Sequence, residues 1–140
     1  GTVMSAADVR NVHAAGGRLI ISPHFDTEVV HEALRLGLAC MPGVATPSEA
    51  FAALKAGAHA LKLFPAEMIG PAVVKALRAV LPANVPLLPV GGVSPDNMAA
   101  WRKAGASGFG IGSALYKPGQ SVAHTATAAH TFIQGWRSMA

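Results

Sequence analysis

The chain has 140 residues, of which 51% are hydrophobic and 13% charged, and this composition excludes a disordered or low-complexity protein. The net charge of +4 comes from basic residues that are mostly scattered singly, without aromatic side chains to stack on bases, so no nucleic-acid partner is expected. No apolar run reaches the roughly 18 residues of a membrane span. The single cysteine, Cys40, cannot form an internal disulfide, which favours a cytoplasmic location.

Short apolar runs alternate with helix-like segments along the chain, and glycines end those segments at a spacing of about 20 residues, which fits one strand–helix unit. Runs that are apolar on both faces indicate a parallel sheet covered by helices. Strands are predicted at residues 18–22, 38–42, 59–64, 86–90 and 107–111. Helices are predicted at residues 5–15, 26–36, 47–56, 70–81, 95–104 and 121–137.

Capping residues support these helix starts. Thr46-Pro47-Ser48-Glu49 has the pattern of a capping box with proline at the first helical position. Ser94-Pro95-Asp96 repeats the cap and the proline, and Ser5 and Asp26 are predicted caps for two further helices. The helices are therefore expected to begin close to these residues.

The order of elements is typical of a (β/α)8 barrel or of an open doubly wound sheet. Gly1-Thr2-Val3 has the character of the end of a strand, and about five βα units follow it. An eight-stranded barrel needs more units and typically runs to about 200 residues or beyond. We therefore expect residues 1–140 to be the C-terminal part of a single (β/α)8 TIM-type barrel domain, present as a partial barrel.

Lys62 lies in the middle of a predicted strand, between Leu61 and Leu63. Because strand side chains alternate, Lys62 shares a face with Phe64, opposite to the two leucines. If the leucines pack beneath the helices, the lysine lies on the inner face, where desolvation lowers an amine pKa from about 10.4. A neutral amine attacks a ketone to form an iminium, which makes Lys62 a candidate catalytic nucleophile. A solvated lysine, or one paired with a buried acid, is the structural alternative.

Two glycine-rich turns follow the last two predicted strands. Gly91-Gly92-Val93-Ser94 precedes a predicted helix, and Gly110-Ile111-Gly112-Ser113 ends the next strand. Backbone amides that glycines leave accessible beside a helix start bind phosphate, and barrels commonly have such a site after their last two strands. The two turns therefore predict a phosphate site, although a glycine pair alone is often only a tight turn.

The histidines indicate no metal site. His124 and His130 are six residues apart, which is not the spacing of metal ligands on a helix. His24 follows Ser22-Pro23 at the predicted carboxyl end of a strand, where substrate contact is possible in a barrel. No metal and no cofactor is expected.

Motifs that occur in order along the whole chain resemble those of the KDPG/KHG aldolases: Ala60-Leu61-Lys62-Leu63-Phe64-Pro65-Ala66-Glu67, Gly1-Thr2-Val3, Ser22-Pro23, Pro42-Gly43-Val44-Ala45-Thr46-Pro47, Gly91-Gly92-Val93 and Gly112-Ser113. The octapeptide around Lys62 is the most specific of them. The resemblance implies a class I, metal-free Schiff-base lyase on a (β/α)8 barrel, which is a homotrimer when full length. Its ligands would be a phosphorylated keto-deoxy sugar acid and pyruvate.

The resemblance also implies a role for individual residues. Lys62 would form the imine with the substrate ketone, Thr2 and Pro23 would line the pyruvate pocket, and Phe64 would pack beside it. The phosphate of the substrate would be held by four residues of the two glycine turns: Gly91, Gly92, Gly112 and Ser113.

The identity of residue 90 indicates which substrate the resemblance implies, and Val90 is counted among the substrate-binding residues. In gluconate-type members a threonine commonly precedes the glycine pair, whereas here that position is Val90. Valine at this position, together with the sequence of residues 115–121, makes the chain resemble the phosphogalactonate branch of the family. The implied reaction is cleavage of 2-dehydro-3-deoxy-6-phosphogalactonate to pyruvate and D-glyceraldehyde 3-phosphate, with the gluconate epimer as the alternative substrate.

The general acid/base glutamate and the carboxylate-binding arginine of the family lie on early strands, which would precede Gly1. General acid–base catalysis contributes about 10² to 10⁴ in rate, and an unclosed barrel exposes strand edges. The isolated chain is therefore expected to be inactive or unstable unless that segment is supplied. Two other hypotheses for the function remain open. One is a non-catalytic partial barrel that binds a sugar phosphate, and the other is a phosphate-binding barrel transferase in which Lys62 is structural.

Overall fold

The computed structural model describes residues 1–139, so that Ala140, the last residue of the predicted domain, lies outside the described residues. Helices and short strands alternate along this range. The strands are β1 (Leu19–Ile21), β2 (Ala39–Met41), β3 (Gly43–Val44), β4 (Leu61–Leu63) and β5 (Leu87–Pro89). The helices are α1 (Ala6–Ala14), α2 (Thr27–Arg35), α3 (Pro47–Lys55), α4 (Ala66–Val80), α5 (Met98–Lys103) and α6 (Val122–Ser138).

All strand pairings are parallel and follow the order of the chain. β1 pairs with β2, and β3, β4 and β5 form a second sheet in that order. β2 lies within the strand predicted at 38–42, whereas β3, which was not predicted, follows directly after Pro42 and pairs with a different neighbour. The carbonyl of Cys40 accepts from His59 N and that of Pro42 from Lys62 N, both at 3.0 Å, which joins the two sheets edge to edge.

The fifth predicted strand, at 107–111, is wrong. Within residues 1–139 this segment forms an isolated parallel bridge between Val90 and Gly110 but no strand. Two backbone hydrogen bonds attach it to β5, from Ser107 N to the Leu87 carbonyl at 2.8 Å and from Gly110 N to the Pro89 carbonyl at 3.0 Å. The segment is rich in glycine, which weakens a strand because it adds no side chain to pack. At Gly110 the lack of a side chain permits close contact, since a β-carbon there would lie 2.5 Å from Val90 Cγ2.

Most predicted helix starts agree with the observed caps. Ser5 Oγ accepts from Asp8 N at 3.1 Å, and Asp26 Oδ1 accepts from Val29 N at 2.9 Å. The Thr46 capping box is formed, because Thr46 Oγ1 accepts from Glu49 N while the Glu49 carboxylate accepts from Thr46 N. These hydrogen bonds satisfy amides that a helix start otherwise leaves unpaired.

Two helix starts differ from the prediction. α4 begins at Ala66 rather than at residue 70, because one extra turn precedes a kink at Gly70, whose φ of 70° interrupts the helix before Pro71. α5 begins at Met98, so the predicted Ser94 cap is wrong. The reason is Asn97, whose Oδ1 accepts from Ser94 N at 3.0 Å and thereby holds residues 94–97 in a turn.

The helices cover one face of the strands. Leu61, Leu63 and Leu87 are fully buried and pack with apolar side chains of α3 and α4. Burial of each such side chain contributes about 1.5–3 kcal/mol to folding. A second apolar cluster beneath α1 and α2 contains the buried Cys40, and burial raises the pKa of Cys40 to about 11. No helix within residues 1–139 is long and apolar enough to cross a membrane.

We expect Thr46→Ala to lower the free energy of unfolding by about 1 kcal/mol, because it removes the side-chain acceptor of the capping box. Urea denaturation of the two proteins measures this difference. Ser48→Ala, at an exposed position of the same helix that makes no side-chain hydrogen bond in the described chain, is the control. An equal loss for both variants would contradict a capping role.

Candidate active site

The face of β4 opposite to the helices carries Lys62. Leu61 and Leu63 are fully buried on the helix side, whereas Lys62 is only half-buried, so the predicted alternation is observed. Lys62 Nζ lies 4.2 Å from the centroid of the Phe64 ring, and within residues 1–139 the amine makes no ion pair. The alternative of a lysine paired with a buried acid therefore does not describe this side chain.

Burial changes the protonation of this amine. Desolvation holds the pKa of Lys62 below its usual range, since removing water penalises the charged form. The face of the Phe64 ring offsets part of that penalty because it attracts a cation. Titration therefore yields the neutral, nucleophilic amine at a lower pH than for a fully solvated lysine.

A tight turn after β1 crosses the face that carries Lys62. Gly43 is the register partner of Lys62, so a side chain at either position would project to the same face. A β-carbon on Gly43 would overlap the Pro23 carbonyl and lie 2.9 Å from His24 N. Glycine at position 43 thus lets Pro23 lie over this face, and the buried Ser22 Oγ holds the turn by donating to the His24 carbonyl at 2.9 Å.

Thr2 lies near the same end of the sheet. Val3 N donates to the Ile21 carbonyl at 3.3 Å, which places the segment beside the carboxyl end of β1. Thr2 has a φ of 60°, a left-handed conformation that is strained for a β-branched residue. Strain of this kind is concentrated at functional sites, and the role of Thr2 in the pyruvate pocket remains a prediction.

A cleft of about 360 Å³ opens at the carboxyl ends of β4 and β5. It contains all four residues predicted to hold phosphate, together with Phe64 and Val90. Its lining comprises Phe64, Glu67, residues 90–93 and residues 110–114. Phe64 connects the two parts of the site, because its ring contacts the Lys62 amine and the same residue borders the cleft. Thr2, Pro23 and Lys62 itself lie outside the lining of this cleft.

The two turns that border the cleft have unusually free backbones. Neither run of successive N–H groups, 91–93 or 111–114, donates to another group of the described chain. Gly91 and Gly92 have φ values of 108° and 63°, which are conformations that favour glycine. Successive unpaired amides of this kind form anion-binding concavities, so the cleft is suited to an anionic group.

Sequence reasoning assigned no role to two residues that shape this cleft. Asn97 Nδ2 donates to the Gly92 carbonyl at 2.8 Å, and its Oδ1 accepts from Ser94 N, so it fixes the turn from both sides. An asparagine shortly after a glycine pair is a typical turn signal that could have identified it. Glu67 lines the cleft itself. The octapeptide around Lys62 contains Glu67, but residue order alone does not predict that its side chain lies in the cleft.

The structure thus shows an α/β protein with a half-buried amine on one face of a parallel sheet, next to a cleft at the strand ends that is lined by unpaired backbone amides within the described chain. Comparison with known proteins identifies the family. A family model described as KDPG and KHG aldolase matches residues 1–127. The chain belongs to the KDPG and KHG aldolase family.

Three similar proteins support this assignment. The 2-dehydro-3-deoxy-6-phosphogalactonate aldolase of Escherichia coli (strain K12) is 46% identical over 137 residues, covering 98% of this chain and 67% of that protein. A probable aldolase of the same name from Rhizobium meliloti (strain 1021) is 48% identical over 121 residues, or 86% of this chain and 57% of that protein. A solved structure described as native KDPGal superposes with a TM-score of 0.97 at 45% identity, covering 99% of this chain and 68% of the other.

We expect Asn97→Ala to weaken binding of inorganic phosphate about three- to tenfold, because its two hydrogen bonds no longer hold the turn and ordering the turn on binding then costs about as much as one such bond, 0.5–1.5 kcal/mol. Isothermal titration calorimetry measures the affinity. Asn84→Ala, at an exposed loop position without a side-chain hydrogen bond in the described chain, is the matched control. If both variants bind phosphate equally well, the turn keeps its shape without Asn97.

Proposed function

We propose that this chain carries the imine-forming lysine and the phosphate site of a class I aldolase. The reaction is cleavage of 2-dehydro-3-deoxy-6-phosphogalactonate to pyruvate and D-glyceraldehyde 3-phosphate. One observation carries the proposal: the half-buried Lys62 amine, which forms no ion pair within residues 1–139, contacts Phe64 at 4.2 Å, and Phe64 borders the cleft. Names of the similar proteins support the choice of substrate.

The lysine supplies the covalent step. The neutral Lys62 amine adds to the C2 ketone of the substrate, and loss of water from the carbinolamine gives an iminium. When the C4 hydroxyl loses its proton to a general base, the C3–C4 bond breaks and its electrons move into the iminium, giving an enamine and the aldehyde. Protonation of the enamine at C3 and addition of water then release pyruvate and restore the amine.

The general base of this step is expected on an earlier strand, as the family resemblance implies. Lys62 requires no base for its attack on the ketone once it is neutral, and the lowered pKa of this amine favours that state. The carbinolamine hydroxyl then leaves as water with a proton from the solvent. Imine formation with pyruvate is therefore the part of the reaction that the residues of this chain can be tested for directly.

The cleft suits the phosphate end of the substrate. Within the described chain no lysine or arginine lines it, so phosphate would be held by the amides of the two turns and by the Ser113 hydroxyl. Amide donors that are fixed before binding stabilise an anion without a reorganisation cost. Val90 lines the cleft directly before the glycine pair, where its apolar side chain offers no hydrogen bond to a substrate hydroxyl.

The barrel architecture, the oligomeric state and the cellular location are part of the same proposal. We propose that the chain is a partial (β/α)8 barrel of about five βα units, which the sequential order of its parallel strands supports. A cytoplasmic homotrimer is the assembly and location that the family resemblance implies.

We expect borohydride reduction in the presence of pyruvate to attach one adduct to the chain, and Lys62→Arg to abolish it, because a guanidinium does not form this imine. Intact mass and peptide mapping measure the adduct and its position. Lys75→Arg, an exposed lysine on α4, is the control and keeps the adduct. An adduct that survives in Lys62→Arg, or that maps to another lysine, would refute the imine assignment.

The same experiment separates the alternatives. A folded chain that binds inorganic phosphate but forms no adduct would favour a non-catalytic sugar-phosphate-binding protein. Thermal unfolding with and without phosphate establishes that binding independently of the covalent step.

We expect Val90→Thr to shift the preference between the two epimers towards the gluconate substrate, because the new hydroxyl can hydrogen-bond a substrate hydroxyl beside the glycine pair. A change of about tenfold in the ratio of kcat/KM values is a reasonable size for one such contact. Val80→Thr, at an exposed site on α4, is the matched control. An unchanged ratio would remove Val90 as a determinant of the epimer.

A further inference from the structure

The side chain of Glu67 lies directly against the Gly91–Gly92 turn. A β-carbon on Gly91 would overlap Glu67 Oε2 and lie 3.1 Å from Oε1. A β-carbon on Gly92 would lie 2.5 Å from Glu67 Cγ and 3.2 Å from Oε1. The two glycines are therefore covered by a carboxylate at the place where the cleft has its free amides.

This carboxylate is electrostatically isolated. Among the residues that line the cleft in the described chain, Glu67 is the only one with a charged side chain. Within residues 1–139 it makes no ion pair and no side-chain hydrogen bond. Its position in the first turn of α4 favours a negative charge, because the amides of a helix start point towards it. A carboxylate side chain thus lies in a cleft whose other polar groups are suited to an anion.

We propose that Glu67 competes with phosphate for this cleft: its carboxylate covers the Gly91–Gly92 turn in the ligand-free chain, and a phosphate group binds only after displacing it. This inference rests on the proposed phosphate site and adds a residue that sets its affinity. The carboxylate and a phosphate cannot occupy the same volume, and two negative charges at this distance repel each other.

Displacement requires only a side-chain movement. Glu67 is exposed, and its neighbour Met68 projects into solvent, so the glutamate can rotate outward without disturbing the core. The kink at Gly70 also separates the turn that carries Glu67 from the rest of α4. When the carboxylate moves outward, it loses its favourable position near the amides of the helix start. That loss opposes binding and lowers the apparent affinity for phosphorylated ligands.

Titration calorimetry with inorganic phosphate tests the proposal on Glu67→Gln, which keeps the size of the side chain and removes its charge. Glu28→Gln is the matched control, because Glu28 is an exposed residue in the first turn of α2 and the substitution changes the net charge equally. We expect Glu67→Gln to bind phosphate at least about tenfold more tightly than the unsubstituted chain and than Glu28→Gln. Thermal unfolding of each variant establishes that it is folded.

The outcomes distinguish a failure of the Glu67 competition from a failure of the phosphate site itself. If the unsubstituted chain binds phosphate and Glu67→Gln binds no more tightly than Glu28→Gln, the competition is refuted while the phosphate site stands. If Glu67→Gln binds more weakly, Glu67 supports the turn instead of competing with the ligand, and the proposal is likewise refuted. If no variant binds phosphate, both the phosphate site and the role of Glu67 are wrong.

Discussion

Alternation along β4 is the constraint on which the site depends. Leu61 and Leu63 are fixed on the helix side by complete burial, and turning the strand over would expose both while placing an amine in the apolar layer. The same packing therefore holds Lys62 on the opposite face, where it is half-buried and its pKa is lowered. Burial of the two leucines and desolvation of the amine thus have one structural cause, because both follow from the register of this strand.

The two ends of the site need different surroundings. An amine becomes nucleophilic at lower pH when water is removed around it, whereas an anion is held best by polar groups that are already oriented. The chain separates these requirements in space. Phe64 presents its ring to Lys62 and borders the cleft, and the amide donors begin beyond it at the turn of Gly91. An aromatic side chain suits this boundary, because it excludes water from the amine and adds no charge to the cleft.

Sequence patterns predicted the features that depend on local chemistry. The alternation around Lys62 and the capping box at Thr46 follow from residue order alone, and both are observed. The predictions failed where contacts between distant segments decide the structure. Residues 107–111 form no strand, because their backbone pairing with the β5 region is limited to one bridge and two hydrogen bonds. The late start of α5 is instead a local failure, since Asn97 binds Ser94 only three residues before it. The direction of the Glu67 side chain depends on two loops that meet only in the folded chain, so no local pattern contained it.

Glycine has a different function at each end of the site. Gly43 is needed because the turn after β1 lies against it, so its lack of a side chain brings Pro23 over the face of Lys62. Gly91 and Gly92 have positive φ values and leave their amides unpaired within the described chain, so glycine is needed there for the backbone conformation and its accessible N–H groups. A larger residue at position 43 would displace a neighbouring segment, whereas one at 91 or 92 would alter the donors themselves. The amine end thus depends on close packing and the cleft, the proposed anion site, on backbone conformation, so the glycines of this chain meet different physical requirements at the two places.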